Sequence, residues 1–339
     1  MTFDERVRAL APLGLPPRQT AFIVTVALHG GYCVRRQFDA FLAGGASEGH
    51  SGQLNRNLFD SLVKRGLANS IQYQPNHGRV YHLHHKALYR SIEQVDNRNR
   101  RAVSPALIAR KLMVLDYVLT APPHEWLATE EDKVAWFTTN LRIQLADLPQ
   151  RRYPALRRPG ESTTRYFIHK CPIRIVPGMG AVHFVHLVED ETGRHLQQFL
   201  DDHIRLLSRV PTWSLVLVCP PHLRRGIEIC RKVFADMFHA TAVLGASAQD
   251  LAWYFRTRQA VDAGDLGALS IADLDTFRDL RRGLATPQVE RLYADWQRLG
   301  QAALRGTAPL VGAPQGQPTL LVHELPWRYH QFGSLPGVA

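Results

Sequence analysis

The order of local sequence signals near the N-terminus restricts the fold of this chain more than any other feature. Apolar residues at helical spacing predict three helices, over residues 17–29, 34–43 and 51–65. Residues 67–84 then predict two strands around the turn Pro75-Asn76-His77-Gly78. Three helices followed by a single hairpin is the element order of a winged helix-turn-helix. We therefore expect a module of this kind within residues 1–92.

The third predicted helix has one apolar face and one polar face. A leucine recurs at every fourth residue from Leu54 to Leu62, and the opposite face carries Gln53, Arg56 and Asn57. Asn and Gln side chains pair with adenine in a major groove, and Arg pairs with guanine. This face therefore predicts base contacts with double-stranded DNA.

Residues around this helix extend the predicted interface. Ser51, Lys64 and Arg65 suit phosphate contacts, and two arginines at the start of the preceding helix suit contacts that fix the register. The hairpin tip is placed to reach a phosphate or a minor groove. The complete set of expected DNA contacts is Arg35, Arg36, Ser51, Gln53, Arg56, Asn57, Lys64, Arg65, His77 and Arg79.

The charge of the chain favours a polyanionic partner. The 339 residues carry a net charge of +11, and residues 1–158 alone hold 22 basic and 13 acidic side chains, a net of +9. All but six of the basic residues are arginines, whose planar guanidinium group forms bidentate contacts with phosphate. A solvated basic face, or a winged helix that contacts only protein, would give the same charge pattern and stays open as an alternative.

Two further basic clusters lie outside the predicted module. Arg98, Arg100 and Arg101 lie in a polar segment that we interpret as a linker. Residues 148–163 are rich in proline and arginine, include Tyr153 among the arginines, and are interpreted as a loop. Either cluster is able to follow the flank of a duplex, and either is equally consistent with a solvated segment.

The second half of the chain predicts a mixed sheet with flanking helices. Strands are expected at 164–176, 181–189, 213–219 and 241–244, with a last one at 319–323. The fold class is therefore α+β. We divide the chain into a winged helix (1–92), a helical linker region with Arg-rich loops (93–163) and an α/β domain with C-terminal helices (164–339).

Residue patterns for catalysis or metal binding are lacking in the sequence. The four cysteines form no C-x-x-C pair, and no P-loop, Rossmann glycine motif or nucleophile elbow is present. We expect no cofactor, no metal and no catalytic residue. The cysteine usage and the absence of a long apolar run predict a cytoplasmic protein without a membrane segment.

The chain resembles replication-relaxation proteins of mobile genetic elements. The resemblance lies in PPRQTAFIVTVALHGGYCVRRQFDAFL, LVKRGLA and GRVYHLHHKALYR, and in HLQQFLDDHIRLL after a predicted strand pair. It implies a DNA-binding accessory protein whose second domain resembles a restriction-endonuclease-like core. Pro172-Ile173 and His186-Leu187-Val188 stand where such a core would place its acidic residues.

We therefore expect a non-enzymatic, sequence-specific DNA-binding protein that acts in recombination, replication or transcription control. It would associate with the nucleoid, form a homodimer and contact a recombinase or replication protein. Two alternatives remain: a metal-dependent nuclease that uses Glu189 and Asp190, and a protein-interaction adaptor.

Overall fold

The computed structural model shows a mixed α+β protein. It describes residues 1–44, 51–75, 77–154, 162–178, 180–238, 248–267, 269–304, 318–329 and 332. The side chains of residues 51–56, 248 and 287–288 lie outside this description. The predicted strand at 241–244 and the turn residue Asn76 also lie outside the described residues.

Helices and a small sheet alternate over the N-terminal region. The elements are α1 (Phe3–Ala9), α2 (Pro17–His29), β1 (Tyr32–Val34), α3 (Arg35–Ala43), α4 (Ser51–Lys64), β2 (Ala68–Ile71), β3 (Val80–Leu83) and α5 (Lys86–Ser91). The three strands form an antiparallel sheet in the order β1-β3-β2. Strand β1 was not predicted, because three residues are too few to show an alternating pattern.

Aromatic rings hold the helices of this region against its sheet. Phe22 of α2 packs on Phe38 of α3 with ring centroids 4.9 Å apart, and Phe59 of α4 stacks on Tyr81 of β3 at 4.3 Å. All four side chains are almost completely buried. The apolar stripe of α4 therefore faces inward, and the orientation of the helix is fixed by its packing.

Helix α6 (Pro105–Val118) packs on both halves of the chain. It contacts α2 and β1 on one side and two strands of the larger sheet on the other. Ile108, Leu112 and Leu115 are completely or almost completely buried in the core that they share with the N-terminal region. This part of the expected linker region is thus a buried element.

A five-stranded mixed sheet forms the centre of the second half. Its strands are β4 (Trp126–Leu127), β7 (Ile173–Val176), β8 (Ala181–Leu187), β9 (Trp213–Cys219) and β10 (Thr319–Glu324), in the order β10-β9-β8-β7-β4. Strands β8, β9 and β10 are parallel, and β7 is antiparallel to both of its neighbours. Helices α7 (Glu130–Thr139), α8 (Arg194–Leu207) and α9 (Arg224–Phe238) accompany this sheet.

Alternating side chains of this sheet enter two different cores. Val185 and Val216 face the core that contains α6, whereas Phe184 and Leu215 face the core that contains α8 and α9. Three further helices, α10 (Ala248–Ala263), α11 (Ile271–Leu284) and α12 (Pro287–Leu299), form a separate apolar cluster. None of the helices in the described ranges combines the length and apolar character needed to cross a membrane.

A two-stranded antiparallel ribbon corrects two of our predictions. It consists of β5 (Gln150–Pro154) and β6 (Ser162–Tyr166), so the segment that we interpreted as a loop contains strands. The single strand predicted at 164–176 is wrong, because the chain turns between β6 and β7. Phe167 and Lys170 there adopt positive φ values of 50° and 52°, and the Phe167 side chain is buried.

Candidate nucleic-acid interface

The polar face of α4 is open to solvent. Asn57, Asp60 and Lys64 are exposed, whereas Leu58 and Leu62 on the same helix are 1% exposed. Ser51, Gln53 and Arg56 belong to the helix backbone, but their side chains lie outside the described residues. The described side chains of α4 therefore form an exposed polar face beside a buried apolar face.

Arg35 lies between α4 and the small sheet. Its Nε donates a hydrogen bond to the Tyr81 hydroxyl at 2.9 Å, and Nη2 lies 3.5 Å from an Asp60 carboxylate oxygen. The Arg35 side chain is 40% exposed, and Asp60 is more exposed still. An ion pair this exposed contributes little to stability, so Arg35 stays available for a stronger anion.

Arg36, the next residue, points away from this surface. Its guanidinium forms two hydrogen bonds with Asp116, at 2.7 and 2.6 Å, and lies over the ring of Trp327 at 4.5 Å. Burial disfavours the charged form, but the hydrogen bonds and charge of Asp116 outweigh burial and raise the pKa of Arg36. Arg36 is therefore paired inside the folded chain with Asp116, a residue that is distant in sequence.

Lys64 and Arg65 diverge at the end of α4. Lys64 is exposed in the last helical turn. Arg65 is also exposed, but its Nη1 donates to the backbone carbonyl of Leu13 at 2.7 Å. Of these two cations, only Lys64 is on the same helical face as Asn57.

The hairpin between β2 and β3 carries His77 and Arg79, and both are exposed. Arg79 Nη1 donates to the Ser70 hydroxyl of the opposite strand at 3.2 Å. In the loop that connects β2 to β3, the Tyr73 ring packs on Phe332 with ring centroids 5.0 Å apart. Phe332 near the C-terminus thus contacts the hairpin loop, and both basic side chains remain exposed.

The C-terminal segment also covers one flank of α3. The Tyr329 hydroxyl hydrogen-bonds with Asp116, and the guanidinium of Arg36 lies near the rings of Trp327 and Tyr329. None of these contacts involves the exposed side chains of α4. Asn57 and Lys64 are exposed, and the contacts of the described C-terminal residues leave their surface open.

Glu189 and Asp190, the residues of the nuclease alternative, are engaged in local contacts. Glu189 lies 2.7 Å from Arg110 Nη1 and 3.1 Å from His195 Nδ1. Asp190 accepts hydrogen bonds from the backbone of Thr192 and Gly193, which shape the turn before α8. Within the described ranges, no three His, Cys, Asp or Glu side chains are grouped so as to hold a metal ion. The arrangement gives no specific support to nuclease chemistry.

Comparisons of this chain with protein-family models, with curated proteins and with solved structures found no match in any of the three.

Proposed function

We propose that residues 17–83 form a winged helix-turn-helix module that binds double-stranded DNA and places α4 in the major groove. One observation carries the proposal: the elements follow the order α2-β1-α3-α4-β2-β3, and α4 keeps its polar face exposed while its apolar face is buried. The β2–β3 hairpin would be the wing of this module.

The exposed cations around α4 support phosphate contacts. Lys64 is on the same face as Asn57, Arg35 borders α4, and the wing carries His77 and Arg79. The concentration of positive charge in residues 1–158 adds long-range attraction for a polyanion. Ser51, Gln53 and Arg56 remain contacts proposed from the sequence, and Arg65 remains a phosphate contact at the edge. Arg36 drops out of the proposed interface, because Asp116 already binds it.

The resemblance to replication-relaxation proteins supports a role for this binding in a mobile element. We extend the proposal to an accessory protein of recombination, replication or transcription control that associates with the nucleoid. Residues 164–339, with a degenerate restriction-endonuclease-like core, would mediate homodimerisation or contact a recombinase or replication protein. A dimer of this kind would prefer half-sites about 34–36 Å apart, or a multiple of that distance.

Binding of the full chain to duplex DNA at a series of salt concentrations tests the proposal. We expect the affinity to fall steeply with salt, and Lys64→Ala to reduce the slope of log affinity against log salt by about 0.9. Lys232→Ala removes an exposed lysine from α9 and should leave the slope unchanged. Failure of the full chain to bind any duplex at low salt would overturn the proposal and favour the adaptor alternative.

A further inference from the structure

The β5–β6 ribbon has a fixed base and an uncovered body. Leu148 and Phe167 flank it and are buried, and the Phe167 N–H donates to the carbonyl of Pro149 at 2.8 Å. The Tyr166 N–H donates to a Glu130 carboxylate oxygen at 2.8 Å. All five residues of β5 are exposed, so both faces of this strand are open to solvent. An isolated two-stranded ribbon is only marginally stable in water, so a bound partner would stabilise this one.

The ribbon carries positive charge on both faces. Arg151 is directly opposite Arg165 in the register, and like charges at opposed positions are destabilising. Arg152, the neighbour of Arg151, points to the other face. Arg165 Nη1 lies 3.9 Å from a Glu130 carboxylate oxygen. Arg151 and Arg152 are exposed and form no ion pair with any described residue. The charge on the ribbon is therefore only partly neutralised by the protein itself.

Further cations extend this surface toward the N-terminal region. The pKa of Lys170 is lowered, first because its ammonium group is partly buried and then because of the nearby charges of Arg98 and Arg165. Arg98 begins a short turn that is anchored by Asn99, whose side chain donates to the carbonyls of Ala27 and Leu28. Lys170 therefore lies near both Arg98 and Arg165 of the ribbon.

The arrangement of the charges favours one kind of partner. A flat acidic protein surface or a membrane would attract cations on a single face, whereas an element within a groove has phosphates on both sides. The major groove of B-form DNA is about 12 Å wide and admits a two-stranded ribbon, and the major groove of A-form RNA is too narrow for side chains to read. Guanidinium groups bind phosphate oxygens in pairs.

We infer that the β5–β6 ribbon is a second DNA-contacting element, which enters a groove of duplex DNA and binds phosphates on both sides through Arg151, Arg152 and Arg165. This surface is separate from α4, and the inference stands even if α4 contacts only protein. Arg157 and Arg158 continue the basic sequence between the two strands, outside the described residues.

The test compares the full chain with its Arg151→Ala/Arg152→Ala variant in binding to B-form duplex DNA across a salt series. Loss of two phosphate contacts should lower the slope of log affinity against log salt by about 1.8, with at least about tenfold weaker binding near 0.1 M salt. Arg278→Ala/Arg282→Ala removes the same charge from exposed positions on α11 and should change neither quantity. The charge-preserving Arg151→Lys/Arg152→Lys variant should retain most of the slope.

The outcomes separate this inference from the proposed role of α4. A ribbon variant that loses affinity while Lys64→Ala has no effect supports the ribbon and overturns the proposal for α4. A ribbon variant with wild-type slope and affinity overturns the ribbon inference alone. The ribbon inference is also overturned if the ribbon variant loses as much affinity for polyglutamate or duplex RNA as for duplex DNA, because the ribbon would then bind another polyanion. A full chain that binds no duplex overturns both.

Discussion

Two adjacent arginines show how strongly the surroundings decide the use of a side chain. Arg35 and Arg36 begin α3 side by side, and the sequence assigns both to DNA phosphates. A rotation of about 100° along the helix turns Arg35 to Tyr81 and α4, and Arg36 to Asp116 and the C-terminal segment. The sequence does not reveal this difference, because Asp116 is distant in the chain and becomes a neighbour only after folding.

Asp116 connects α3, α6 and the C-terminal segment. Its side chain is 6% exposed and binds Arg36, the Gln37 amide and the Tyr329 hydroxyl. We expect Asp116→Asn to lower the free energy of unfolding by about 3–5 kcal/mol, because it leaves the charge of Arg36 without its partner. Urea unfolding measures the loss. The matched substitution Asp279→Asn, on the exposed face of α11, should change stability by less than about 0.5 kcal/mol, and equal losses would refute the role given to Asp116.

At the scale of elements, helices are well predicted where apolar spacing and end signals agree. The prediction for α2 matches its bounds, and those for α3 and α4 differ by one residue at one end. The ribbon was missed for a physical reason: β5 is exposed on both faces, so it has no alternation of apolar and polar residues to reveal it. The exposed polar face of α4 follows from helical spacing, whereas the contacts of Arg36 and Arg65 depend on distant segments.

Packing of the turn at Arg98–Arg100 depends on a glycine. Gly31, between α2 and β1, has φ of 76°, and a Cβ atom there would lie 2.3 Å from the carbonyl oxygen of Asn99. We expect Gly31→Ala to destabilise the protein by about 2–3 kcal/mol, because the turn must move and the backbone is strained.

Gly14 provides the control for this prediction. It has a similar φ of 64°, but a Cβ atom there would meet nothing within 4 Å. Gly14→Ala should therefore cost only the backbone strain, about 1 kcal/mol. Thermal unfolding of both variants measures the difference, and equal shifts in midpoint would show that the turn does not pack tightly on Gly31.

At the scale of the whole molecule, one apolar core joins the N-terminal region to the central sheet. Leu112 of α6, Phe59 of α4 and Val216 of β9 belong to the same buried cluster. Sequence periodicity predicted α6 as a helix but not its two packing partners, since periodicity shows which face is apolar and not what covers it. Substitutions in this core should therefore destabilise the N-terminal region and the central sheet together.

Buried histidines make the stability of the whole fold depend on pH. Burial lowers the pKa of His186 and His203 from 6.5 to about 3. Above pH 6.5 the two neutral rings contribute fully to the free energy of unfolding. This contribution is lost as the pH falls from 6.5 toward 3, because the unfolded chain takes up protons that the folded chain excludes. Between pH 6 and 5, we expect each of these two histidines to lower the free energy of unfolding by on the order of 1 kcal/mol for each unit by which the pH falls.

Urea unfolding at several pH values between 7.5 and 5 measures this dependence. His186→Gln should flatten the dependence regardless of its effect on stability at pH 7.5. His195 and His222 would be poor controls because both have interaction partners. The substitution His77→Gln, at an exposed position, serves as the control and should leave the slope as it is. An unchanged slope in His186→Gln would show that this ring takes up a proton as readily in the folded as in the unfolded chain.

Selection of bound duplexes from a random pool by the full chain tests most directly whether α4 recognises DNA. We expect a short enriched sequence, and we expect Asn57→Ala to relax the preference at one base pair, since a paired Asn–adenine contact discriminates by about 1–3 kcal/mol. Asn140→Ala, at an exposed position after α7, should enrich the same sequence as the unchanged chain. A pool without any enriched sequence, or an enriched sequence that Asn57→Ala leaves unaltered, would contradict recognition of the major groove by α4.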